Sequence, residues 1–102
     1  MGFRTFFDSE LNYYKLLFQD WIPERRHELI KQYKIRGITK ETEIAFNLTK
    51  DVTEEYYSRV CKLIQSDQGI DRLGEGIADL LVGQAQTAKI IQVHLAYIFF
   101  EK

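Results

Sequence analysis

Hydrophobic residues in the last third of the chain recur at Ile70, Leu73, Ile77, Leu81, Ala88, Ile91, Leu95 and Ile98, with Gln84 the one polar member of the series. Steps of three and four place all of them on one stripe of an α-helix, the pattern of a helix that lies against partners along its length. The spacing predicts a single long helix over residues 70–100, a rod of roughly 45 Å at the helical rise. Gly74, Gly76 and Gly83 fall in its first half, and each costs about 0.5–1 kcal/mol against alanine inside a helix. Close approach of another helix, from this chain or a second copy, would offset that cost. Ile91, Val93, Leu95, Tyr97 and Phe99 also alternate as a strand would, with residues 2–7 as its only partner. The unbroken three-four stripe and the lack of turn chemistry ahead of the tail favour helix.

Upstream, Leu11, Tyr14, Leu17, Phe18 and Trp21 share one helical face. A first helix is expected from a cap at Asp8 or Ser9 to about residue 20, behind an apolar arm carrying Phe3, Phe6 and Phe7. Pro23 suits the first turn of a helix rather than its interior, which sets a break at Trp21 and Ile22 and opens a second helix to about Tyr33. Leu29, Ile30 and Tyr33 would face inward, with Gly37 as the terminator. Thr39 can cap the next segment, whose Ile44, Ala45 and Leu48 point to the core. Thr53, flanked by Val52 and Tyr57 in the arrangement of a hydrophobic staple, is a second start signal. Either the helix restarts there or one helix continues and bends. Tyr57, Val60, Cys61 and Ile64 mark the inward face of residues 54–65, and residues 66–69 form a turn-rich cluster. The fold class expected is all-α: one domain over residues 1–102, a small bundle of four to five helices around the long C-terminal helix.

Composition fits that class. With 102 residues, 45% hydrophobic and 14% aromatic, the chain can bury a core without metals or disulfides. A single cysteine, Cys61, excludes an internal disulfide framework and fits a reducing compartment. Residues 1–7 lack the apolar run of a signal peptide, and the tail, interrupted by Gln92 and His94, is too short to span a bilayer. A cytoplasmic protein with no membrane partner is expected. The net charge of −1 is unevenly placed. Residues 22–40 hold Arg25, Arg26, Lys31, Lys34, Arg36 and Lys40 against Glu24 and Glu28, whereas residues 41–79 hold nine acids against four cations. The simplest consequence is that the two regions pack together and neutralise one another.

Catalytic and metal chemistry find little support. Glu24 and His27 form a Glu-x-x-His, as in di-iron bundles, but the second motif is missing because Ile91 stands three residues before His94. Cys61 lies on an inward helix face, where a thiol behaves as an inert hydrophobe. Gly69, Gly74 and Gly76 lack the Gly-Lys-Ser/Thr of a phosphate loop, and a calcium loop from Asp67 fails at Gly69 and Leu73. No enzymatic activity, cofactor or metal is expected.

Binding is the class that remains. One helix face buries only one member of a tandem aromatic pair, so one of each pair Tyr13-Tyr14, Tyr56-Tyr57 and Phe99-Phe100 should face outward, with Tyr13, Tyr56 and Phe100 as candidates for contact with a protein. Asp51, Glu54, Glu55, Asp67 and Asp71 would form an acidic patch for a basic protein partner. The scale resembles that of small helical inhibitors such as immunity proteins, an analogy of size and fold only. Two further expectations stand beside it. Arg25, Arg26, Lys31, Lys34 and Arg36 could engage nucleic acid, although the domain is slightly acidic and Glu24 and Glu28 share that helix. A homodimer could form through Gly76 and Gly83.

Overall fold

The computed structural model describes the backbone of residues 3–100 and the side chains of residues 8–98. Over that range the chain is all-helical: α1 (Phe3–Leu17), α2 (Trp21–Ile35), α3 (Glu41–Gln65), α4 (Asp67–Leu73) and α5 (Glu75–Phe100). The tail is helix, as its three-four stripe requires, and no strand occurs among the described residues.

Local chemistry sets the breaks. Gly37 ends α2 with φ 88°; its N–H donates to Lys34 O at 3.0 Å and the Ile38 N–H to Tyr33 O at 2.9 Å, a Schellman closure. Ser66 caps α4, its hydroxyl accepting from the Gly69 N–H at 3.3 Å. Gly74, at φ 84°, ends α4 in a conformation that L side chains rarely adopt. The long helix therefore begins at Glu75 rather than residue 70, and Ile70 and Leu73 belong to a separate short helix.

Three further expectations are corrected. Residues 3–7 are the first turns of α1 instead of an arm, because no glycine or proline after Gly2 stops the helix there, and Asp8 and Ser9 lie within it. Lys40, not Thr39, is the cap residue of α3. That helix runs through Thr53 without a restart, since extending a formed helix is far easier than nucleating a new one.

α3 and α5 share the most extensive contact. They run antiparallel: the Cys61 Sγ lies 4.0 Å from the Val82 carbonyl, and further along the Phe46 and Tyr97 rings meet at 4.8 Å. The main core joins Tyr14 of α1 to Tyr56, Tyr57, Val60 and Ile64 of α3 and to Ala78, Leu81, Val82 and Ala85 of α5. A smaller cluster, Leu29, Tyr33 and Val52, ties α2 to α3.

The inner face of α5 is thus rich in small residues, because α3 brings tyrosines to it and close packing calls for alanine opposite large rings. Only Leu81 and the half-buried Ala88 of the expected α5 stripe turn inward. Ile77, Ile91, Leu95 and Ile98, expected to lie against partners along the helix, point to solvent in the single chain. The molecule measures 46 × 26 × 17 Å, with a radius of gyration of 15.5 Å against about 13 Å for a compact domain of 100 residues.

Candidate functional site

The charge polarisation along the chain resolves into contacts between helices. Arg25 of α2 grips Glu55 of α3 through two parallel hydrogen bonds, Nε and Nη2 each donating at 2.7 Å, while its Nη1 donates to Glu28 at 3.0 Å. The Tyr33 hydroxyl donates to Asp51 one turn further along. These bonds hold the Glu55 carboxyl below its ordinary range, against the opposing pull of partial burial. Burial, followed by the Asp51 carboxylate, raises Tyr33.

A folded-state pKa below the unfolded one stabilises the fold fully above the ordinary glutamate value of about 4.3, and that contribution is lost as pH falls through the folded value. Because the two side chains remain 24% and 34% exposed, a double-mutant cycle of Arg25→Ala and Glu55→Ala in urea unfolding should give a coupling of only about 0.5–1 kcal/mol at pH 7. The coupling should fall toward zero at pH 3. A coupling unchanged across that range would show that the pair does not act through the carboxylate charge.

The five acids do not form one free patch. Asp51 and Glu55 are engaged as described, Glu54 lines a shallow groove with Lys89, His94 and Tyr97, and Asp67 and Asp71 stand apart on α4. Nor do the cations form a stripe. Arg25 is paired, and the exposed Lys31 shares its face with Glu24 and Glu28 at i−7 and i−3. Lys34 and Arg36 are exposed near the end of α2, and Arg26 lines a groove of about 420 Å³ with Lys15, Val52, Tyr56 and Tyr57.

The aromatic candidates divide. Tyr13 is half-exposed and lies 5.0 Å beneath the Arg72 guanidinium, which also clasps Glu10 and donates to the Tyr14 hydroxyl. Tyr56 is buried beside Tyr57, at 7% and 4% exposure, which corrects the outward placement expected of it. α1 covers it, and its hydroxyl donates to Leu11 O at 3.1 Å. Burial pushes its pKa up to about 12. Phe100 lies outside the described side chains.

Among the described residues, no cluster of three or more His, Cys, Asp or Glu side chains is placed to hold a metal ion. Cys61 is half-buried, and that burial raises its thiol pKa, away from the reactive thiolate. Gly76 and Gly83 have open space where a Cβ would stand, so neither marks a close approach within the chain. No described helix is long and apolar enough to cross a membrane.

The feature that stands out is the outer face of α5. Ile77, Leu80, Ile91, Leu95 and Ile98 lie along it between 44% and 57% exposed, over about 30 Å of helix. Ile77, Ile91, Leu95 and Ile98 belong to the stripe expected from sequence to lie against partners, and Leu80 does not. A signal was present: from residue 77 to 98 only Asp79 and Lys89 are charged, so the helix is apolar on two faces, and a helix of that kind is covered on both.

A family model described as Lips protein matches residues 6–98. No curated protein and no solved structure matches the chain. Because the matched segment reaches into all five helices, from α1 to the end of α5, the chain belongs to the Lips protein family.

Proposed function

We propose that this chain is a non-catalytic helical module that works by binding another protein, and that the outer face of α5 is its contact surface. One observation carries the reading. Five large aliphatic side chains stand about half exposed in helical register on one face. Exposed apolar residues on a monomer are usually scattered singly, whereas a contiguous stripe marks a contact surface. Supporting it, the charged side chains Arg25, Glu55 and Arg72 are engaged between helices. Occlusion of a partner's surface, as an inhibitor would achieve, is one form of this role in the cytoplasm. A role for α2 in nucleic-acid binding is less well supported, since Lys31 shares its face with two acids.

The test is a photo-crosslinking amino acid placed at Ile91 or Leu95 in the full chain in its native cells, with Lys31 on α2 as the control position. Covalent protein adducts should form from 91 and 95 and not from 31. Equal or absent adducts at all three positions would defeat the reading.

A further inference from the structure

We propose that the outer face of α5 pairs antiparallel with the same face of a second copy, about a two-fold axis passing between Thr87 and Ala88. The inference rests on the reading of this face as a protein contact and names the protein.

The spacing of the exposed stripe is its basis. From Ile77 the series runs through Leu80, Gln84, Ile91, Leu95 and Ile98 in steps of three, four, seven, four and three. Gln84 is exposed with the five aliphatic residues. The series reads the same from either end, and its midpoint falls between Thr87 and Ala88. An antiparallel two-fold pairing sets residues of equal distance from the midpoint at one level. Ile77 then meets the partner's Ile98, Leu80 meets the partner's Leu95, and Gln84 meets the partner's Ile91. Like residues fall opposite like in both outer layers, with the small Thr87 and Ala88 at the centre where the helices come closest.

Area and charge agree with this occupant. Ten aliphatic side chains from two copies, each about half exposed, would remove roughly 1,000 Å² from water, the lower bound of a specific interface. The two charged residues of this span, Asp79 and Lys89, lie off the stripe, so the paired faces bring no like charges together. A strongly charged partner would find nothing on the stripe to pair with.

Sedimentation equilibrium of the full chain should show an average mass that rises from near the 12.1 kDa of one copy at ~0.1 μM to about 24 kDa, the mass of two, at ~100 μM. Leu80→Asp combined with Leu95→Asp should weaken association by at least ~100-fold and leave the helical circular dichroism unchanged. Register is read without any apolar-to-charge change. In a Cys61→Ser background, Thr87→Cys should form a disulfide-linked dimer under mild oxidation, because the two copies of this position adjoin the axis. Ile77→Cys should not, because its two copies lie at opposite ends. Crosslinking at Ile77→Cys would overturn the antiparallel arrangement. A monomer at ~100 μM would overturn the pairing altogether. In that case adducts from residue 95 to other proteins would leave the wider contact reading standing, and their absence would remove both.

Discussion

Replacing Gly69 by alanine is expected to destabilise the chain by about 2–3 kcal/mol, more than a helix-favouring change at an ordinary glycine could suggest. A Cβ at this position would sit deep inside van der Waals contact with the carbonyl oxygens of Leu63 and Ile64. Both are backbone atoms of the last turn of α3 and have no rotamer to move into. Relief requires α4 to lift away from α3, which breaks the Ser66 cap and withdraws Ile70 and Leu73 from the main core. Gly83→Ala is the control. Its Cβ meets open space, so it should gain about 0.5–1 kcal/mol from helix propensity alone. Urea unfolding of the two variants side by side checks both signs. A Gly69→Ala variant as stable as the parent would mean that α3 and α4 do not meet as described.

Leu81→Ala and Leu80→Ala should differ as sharply as any neighbouring pair in the chain. Leu81 is 0% exposed and sits among Tyr14, Tyr57, Val60 and Ala85, whereas Leu80 is 56% exposed. Truncating the first leaves a cavity under tyrosines that cannot collapse, at a cost of about 3 kcal/mol. Truncating the second changes the free energy by no more than about 0.5 kcal/mol, provided unfolding is followed in protein dilute enough that association adds nothing. Comparable losses from both would place Leu80 inside the fold and remove the exposed stripe.

The contrast between these two leucines shows where the sequence was legible. Elements whose ends carry their own chemistry could be read in part: Gly37 terminates α2, and Ser66 marks the break after α3, although Asp67, Gln68 and Gly69, expected as turn, open α4 as helix. The inward face of α3 through Tyr57, Val60 and Ile64 was plain, since its opposite side is polar. The polarity of charge between residues 22–40 and 41–79 foreshadowed the grip of Arg25 on Glu55.

The rotation of α5 was not legible. Two apolar stripes lie side by side on it, and residue hydrophobicity favours the isoleucines over the alanines. The choice is made by tyrosines on other helices, which leave room for Ala78 and Ala85 and none for larger side chains. Gly74 is indistinguishable in sequence from Gly76 and Gly83, yet it alone of the three adopts positive φ. Tyr56 is buried by α1, a contact that the periodicity of α3 does not reveal. The candidate surface was hidden for the same reason, since one stripe was expected to lie against partners and α5 turns a neighbouring face, with Ala78, Leu81, Val82 and Ala85, to the core.

The central claim is that the outer face of α5 is open in a single chain and covered by protein when the chain associates. The rate at which Leu95→Cys reacts with a thiol reagent, in a Cys61→Ser background, tests it most directly. In dilute chain at ~0.1 μM the rate should match that of an exposed Lys31→Cys control, and it should fall at least ~10-fold as concentration rises to ~100 μM while the control holds constant. A thiol that is slow even in the dilute chain, or one that stays fast at every concentration, would contradict the claim.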